Sequence, residues 1–220
     1  MTSPLTSHAG ETSPICAAIL LAAGAGTRFE GAKHKLLANL RNSDKTASVT
    51  VFEQSLAHVR ESRIGPVIVV TGALGDLLKP GPNSNATFGL PEDVPKDIVV
   101  CHNERWAEGQ STSVQAGLET ARQLGCDRVV MGLADQPFIS PEAWRLVAAG
   151  PGPITVATYN GQRRNPVGLD AAIWHLLPTE GDEGARTLMR VRPDLVCEVS
   201  CPGSPADIDT EEDLRRWQNN

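Results

Sequence analysis

The chain has no cluster of lysine or arginine, no Cys-x-x-Cys pair, no histidines paired at metal-ligand spacing and no apolar run of membrane-spanning length. Each absence removes a class of function. Twenty Lys and Arg against 26 Asp and Glu leave a formal net charge of -6. Nucleic-acid binding depends on neutralising many phosphates, so no nucleic-acid partner is expected. The five cysteines (Cys16, Cys101, Cys126, Cys197, Cys201) are scattered and odd in number, which fits buried small hydrophobes in a reducing compartment rather than a disulfide framework. The histidines (His8, His34, His58, His102, His175) give no structural zinc pattern. The run from Ile15 to Ala25 is apolar and ends in small residues, as a signal-peptide core does. However, Glu11 precedes it and Met1 to Cys16 carry no Lys or Arg, whereas a secretory signal has a positive start. A cytoplasmic location without membrane insertion is the expectation.

What is present reads as one folded unit. With 220 residues and 40% hydrophobic positions the chain is long enough to bury one substantial core. Residues 1–14 are Thr/Ser/Pro-rich without periodicity and are expected to be a flexible N-terminal tail, leaving 15–220 as a single domain. β-branched or aliphatic runs at Ile15–Leu21, Val67–Val70, Ile98–Cys101, Val129–Leu133, Ile154–Thr158 and Leu195–Val199 predict strands. Helical patterns lie between and after them, at Val49–Arg60, Ser113–Leu124, Pro141–Ala148, Ala171–Leu177, Gly184–Val191 and Glu211–Trp217. Strands alternating with helices imply right-handed crossovers and an α/β, Rossmann-like domain: a mostly parallel central sheet with helices on both faces. Ligands in such sheets bind outside the carboxyl ends of the strands. The stretch from Gly72 to Lys96 is Gly/Pro/Asn-rich and patternless, a surface excursion, and no internal repeat is visible.

Behind the first strand stands Leu21-Ala22-Ala23-Gly24-Ala25-Gly26-Thr27-Arg28. A turn of such small residues lets backbone N–H groups approach a polyphosphate. It is not the dinucleotide fingerprint, because Phe29 stands where the third glycine belongs, and not a P-loop, because no Gly-Lys-Ser/Thr follows. Arg28, Lys33 and Lys35 follow instead, close enough to close over phosphate oxygens. The plainer alternative is a tight strand-to-helix turn with solvated charges.

Leu21-Ala22-Ala23-Gly24-x-Gly26-x-Arg28 with a downstream lysine resembles the signature of the MobA-like nucleotidyltransferases, GT-A-like α/β enzymes. The Ala-Ala-Gly form resembles the molybdenum cofactor cytidylyltransferases of that group, whereas its guanylyltransferases more often carry Ala-Gly-Gly. One feature departs from the pattern. Glu30 intervenes before Gly31, and the essential lysine is either Lys33 or Lys35, of which Lys35-Leu36-Leu37 matches better.

After the fourth predicted strand, Gly132-Leu133-Ala134-Asp135-Gln136-Pro137 sets a lone carboxylate at a strand end. Mg²⁺ takes hard oxygen donors and keeps several waters, so one or two carboxylates plus triphosphate oxygens suffice. Asp135 resembles the family's metal-binding position; an Asx turn before Ser140-Pro141 is the alternative. Asp207, in Asp207-Ile208-Asp209-Thr210, is the candidate second ligand, although Thr210 and Asp213 also read as a capping box. Gly109, Ser111 and Ser113, at a strand-to-helix junction, resemble the segment lining the family's nucleotide pocket, with a serine N-cap as the alternative. Asn165, Pro166, Asp182 and Arg186, the last two in an element resembling Gly-Asp-x-Gly-Ala-Arg, are expected on the acceptor side.

The resemblance therefore implies a Mg²⁺-dependent enzyme moving CMP from CTP onto molybdopterin, with pyrophosphate released and a molybdoenzyme as further partner. Arg28, Lys35 and Asp135 would be catalytic. The nucleotide would lie on Leu21, Ala22, Ala23, Gly24, Gly26, Thr27, Arg28, Lys33, Lys35, Gly109, Ser111 and Ser113. Alternatives are a guanylyltransferase, a transferase acting on another small phosphorylated metabolite, or a nucleotide-binding accessory protein without chemistry.

Overall fold

Strand β1 (Cys16–Ala22) is apolar at consecutive positions because both its faces are covered. Ala18, Leu20 and Ala22 enter one core cluster, while Ala17, Ile19 and Leu21 enter the other. The computed structural model describes residues 15–27, 29, 34–41, 48–75 and 95–218. Arg28, Lys33, the tail and most of the patternless excursion lie outside that set.

Seven strands form the central sheet in the order β5-β4-β1-β6-β8-β7-β9. They are β1, β4 (Val67–Thr71), β5 (Ile98–His102), β6 (Arg128–Leu133), β7 (Ile154–Tyr159), β8 (Gln162–Asp170) and β9 (Val196–Ser200). All six predicted strands are present, and they run parallel. The seventh, β8, runs antiparallel between β6 and β7. A separate ribbon pairs β2 (Asn39–Arg41) with β3 (Ser48–Thr50). Neither β8 nor the ribbon was expected.

Helix α1 (Val51–Ser62) starts at a capping box in which Thr50 and Glu53 satisfy each other's backbone N–H groups. It packs Phe52, Leu56 and Val59 against one face of the sheet, beside Trp144 and Val147 of α3 (Pro141–Ala148). Helix α2 (Gln110–Gln123) covers the other face with Val114, Leu118 and Ala121, joined by Leu188 of α4 (Ala185–Val191). The predicted helix at 171–177 is instead a 3₁₀ segment, Ala171–Leu176, whose Trp174 is buried and donates its indole N–H to Leu169 O at 3.1 Å. Helix α5 (Glu211–Gln218) closes the described chain. Among the described residues no helix is long and apolar enough to cross a membrane.

Candidate active site

The carboxyl ends of β1, β4, β5 and β6 open into a cleft of about 820 Å³. Its floor is Leu21 to Thr27, the loop after β1. Gly26 takes the left-handed conformation at φ 61°, and a methyl there would stand 2.6 Å from His34 Nε2. His34 buttresses the loop in turn: its Nε2 lies 3.1 Å from Gly24 O, while its Nδ1 accepts from Leu36 N–H at 3.2 Å. An acceptor at Nδ1 fixes a neutral imidazole with its proton on Nε2. Burial, the largest influence, holds the His34 pKa below its ordinary 6.5.

From that turn Lys35 reaches the acidic centre. Its Nζ donates to Asp135 Oδ2 at 2.5 Å and to Asp209 Oδ1 at 2.7 Å. Burial works against the ammonium, but the charge of Asp135 and the hydrogen bonds that the ammonium donates to both carboxylates outweigh it and hold the pKa above 10.5. Ile208 explains why two aspartates converge here. It is wholly buried, its N–H bonds Asp135 O at 2.9 Å, and Asp207 and Asp209 flank it. In extended backbone alternate residues share a side, so one core anchor brings both carboxylates to the cleft. Thr210 and Asp213 do form the capping box of α5, and Asp213 Oδ2 also accepts from Asp209 N–H at 3.3 Å, leaving the Asp209 carboxylate to Lys35.

Asp135 Oδ1 is buried and has no hydrogen-bond partner. Asp207 is held above its ordinary carboxyl pKa, first by burial and then by the charge of Asp135, against a hydrogen bond from Gln136 Nε2 at 2.8 Å. An orphaned carboxylate oxygen beside a second carboxylate short of positive charge is a fit for a hard divalent cation. Among the described residues no three ligating side chains cluster.

Asp207 and Arg186, with Leu21, Gln110 and Leu133, also line a second cavity, of about 660 Å³. Its floor is apolar, with Met131, Val156, Val167 and Met189, and Arg163, Arg164 and Arg190 stand at its rim. The cavity exists because β6 and β8 pair only as far as Met131↔Val167, and because the β7–β8 register shifts between Val156 and Ala157. Asn165 and Pro166 fall in that irregularity, where proline's missing N–H costs no ladder bond. Asn165 Nδ2 donates to Gln136 Oε1 at 2.9 Å, linking the second cavity to Gln136 and thence to Asp207.

Residues 18–196 match the family model described as the MobA-like NTP transferase domain. The chain belongs to this family. It is 29% identical to nicotine blue oxidoreductase of Paenarthrobacter nicotinovorans, over 94% of its own length and 98% of that protein's. It is 28% identical to purine catabolism protein PucB of Bacillus subtilis, over 91% and 95% of the two chains. The fold is similar to that of Rv0371c from Mycobacterium tuberculosis, with a TM-score of 0.73, 24% identity and coverage of 95% of this chain and 100% of that one. A manganese complex of Rv0371c is similar at a TM-score of 0.68, with 24% identity and coverage of 93% and 98%.

This MobA-like domain brings most of the sequence-predicted residues into the two cavities. Leu21 to Gly24, Gly26, Thr27, Lys35, Gly109, Ser113, Asp135, Asp182, Arg186 and Asp207 line the first, and Asn165 lines the second. Pro166 is buried beside it. Arg28 and Lys33 lie outside the described residues. Ser111 is not brought to the cleft: it is fully buried, with its hydroxyl unpartnered. It is not the N-cap either, since α2 begins at Gln110 after Gly109. Nor are the first N–H groups of α2 open to an anion. Gln110 N–H bonds Asp182 Oδ1 at 3.2 Å and Ser111 N–H bonds Gly181 O at 2.8 Å. Asp182 therefore caps a helix 72 residues earlier rather than its own. Sequence reasoning missed Asp209 and His34 as site residues. The i, i+2 spacing from Asp207 was the available signal for Asp209, whereas His34 became visible only through its contact with Gly24.

Proposed function

We propose that the chain is a Mg²⁺-dependent cytidylyltransferase that transfers CMP from CTP to a molybdopterin-type acceptor and releases pyrophosphate. The observation carrying this reading is the junction of two cavities at Asp207 and Arg186, one floored by the glycine loop and the other apolar with an arginine rim. Two anionic substrates entering from opposite sides would meet there.

The chemistry needs no protein nucleophile. An oxygen of the acceptor's phosphate attacks the α-phosphorus in line, a P–O bond forms, and the bond to the β-phosphate oxygen breaks as pyrophosphate leaves. The loop Leu21–Thr27 holds the triphosphate through backbone N–H groups, and Lys35, with Arg28, offsets charge growing on the leaving group. Asp135 and Asp207 would hold Mg²⁺, which supplies charge neutralisation of the triphosphate when bound. Asn165 and Arg186 belong to the acceptor side, where alignment supplies much of the rate.

Cytidine is favoured by Ala22-Ala23-Gly24. The oxidoreductase named for one relative is not carried over, because Phe29 stands where a dinucleotide loop has its third glycine. The purine-catabolism name of the other agrees with a cofactor destined for xanthine-dehydrogenase-like molybdoenzymes. Manganese bound to Rv0371c supports a divalent cation here.

Pyrophosphate release by purified protein with Mg²⁺ and molybdopterin, compared for CTP and GTP, tests the reading. Release with CTP and its loss in Asp135→Asn are expected. Release with GTP alone would overturn the base, and release with neither would overturn the molybdopterin acceptor.

A further inference from the structure

The cleft is chemically lopsided. Its described charged lining residues are Lys35, Asp135, Asp182, Arg186, Asp207 and Asp209. All come from the turn after the glycine loop or from segments that follow β6. The segment following β5 contributes Trp106, Ala107, Gly109, Gln110 and Ser113 to the lining, and no charged side chain. Since β6 and β4 flank β1 on opposite sides, the centre of Lys35, Asp135, Asp207 and Asp209 lies on the β6 side of the glycine loop and the β5 segment on the other, where Asp182 is held as the cap on Gln110 N–H.

A nucleoside triphosphate has the same asymmetry, with charge on its phosphates and a flat, uncharged base at the other end. With the phosphates toward Lys35 and Asp135, the base falls toward β4 and β5. The aromatic residue lining that end is Trp106, partly exposed in a 3₁₀ turn, Trp106–Glu108. Its place is fixed by Gly72, just after β4. A methyl on Gly72 would lie 2.6 Å from both Trp106 Cβ and Ala23 O, and 2.8 Å from Ala23 Cβ. Glycine at 72 thus lets Trp106 sit directly across from Ala23, the second alanine of the loop.

We propose that Trp106 is the platform on which the nucleobase stacks, so that Trp106 and Ala23, packed on either side of Gly72, set the width of the base site. This inference rests on the nucleotidyltransferase reading and assigns the base end of that site. Stacking tolerates any base face, so Trp106 supplies affinity, and its spacing from Ala23 supplies the choice between a pyrimidine and a purine.

Two variants and two readouts test the assignment. Trp106→Phe keeps a ring, and Trp106→Leu keeps bulk without one. Calorimetry with CTP is expected to show Kd raised roughly 5- to 150-fold in Trp106→Leu and only about threefold or less in Trp106→Phe. KM for CTP should rise far more than kcat falls. In the native protein CTP should quench tryptophan emission, and the quench should vanish in Trp106→Phe while the binding heat persists. Trp144 and Trp174 are buried core residues and contribute a steady background. Unchanged CTP affinity in Trp106→Leu, or native emission unmoved by CTP that calorimetry shows to bind, would overturn the proposal. If CTP binds and quenches but no acceptor yields pyrophosphate, the transferase reading falls and the Trp106 assignment stands. If no nucleoside triphosphate binds, both fall.

Discussion

Lys35 shows how a single residue organises the acidic centre. Its ammonium separates Asp135 from Asp209, at 2.5 and 2.7 Å, with only 13% of its side chain exposed. Lys35→Met removes the cation and leaves two carboxylates facing each other. We expect a stability loss of about 3 kcal/mol, the lower end for a broken buried pair. A fall in kcat of roughly 100-fold or more is expected from losing a charge aimed at the leaving group. Thermal melts should show Mg²⁺ restoring stability to this variant, while pyrophosphate release stays low. Turnover within a few-fold of native would instead pass the essential role to Lys33. His34 gives a pH prediction. Its folded-state pKa lies below 6.5 because burial penalises the imidazolium. The fold therefore binds fewer protons than the unfolded chain in that window. The neutral ring's contribution is complete above pH 6.5 and is lost as pH falls through the folded pKa. In NMR titrations the His34 ring should titrate below 6.5, and His34→Gln should blunt the fall in melting temperature between about pH 6.5 and 5. A His34 pKa at or above 6.5 would sink this account.

At the scale of elements, the start of α2 depends on a loop far away in sequence. Gly109 sits at φ 117°, and a methyl there would approach Gly181 O to 2.6 Å, so the two loops can close only over a bare backbone. Gly109→Ala combines disfavoured backbone with that clash, and chemical denaturation should record a loss of about 1–3 kcal/mol. Because Gly109 lines the nucleotide cleft, KM for the nucleotide should rise as well. A variant as stable as native would mean that the Gly181–Asp182 loop moves away freely. The six parallel strands and most helices were legible because fully buried strands and amphipathic helices leave strong local patterns. Strand β8 was not legible. It begins with exposed Gln162, Arg163 and Arg164 and carries Pro166, which local rules place outside a central strand. It is tolerated inside the sheet because the register shift absorbs the proline. Ser111 misled for a related reason: its residue type suits a cap, but Asp182 from another segment occupies that role.

Across the whole molecule, the ends of the sheet divide the work. At the strand ends away from the cleft, Arg128 is buried and bonds Asp170, Thr155 Oγ1 at 2.9 Å, and the carbonyls of Val147, Gly150 and Gly152 at 3.3, 3.1 and 3.2 Å. This guanidinium ties β6, β7 and β8 to the end of α3. Arg128→Ala is expected to cost about 3–5 kcal/mol, since it strands buried acceptors, while nucleotide Kd measured on the folded fraction stays within about twofold. A tighter coupling to nucleotide binding would show that the two ends are not independent. The sequence by itself determined the α/β class, the parallel strands and the glycine loop, and it put forward Lys35, Asp135 and Asp207 as candidates, because residue type and short-range spacing encode them. Only the tertiary structure decided that Lys35 bridges Asp135 and Asp209, that Asp182 caps α2, and that β8 opens a second cavity against the first. Those arrangements join residues up to 174 positions apart, and such proximity is set by how core side chains fill space across both faces of the sheet.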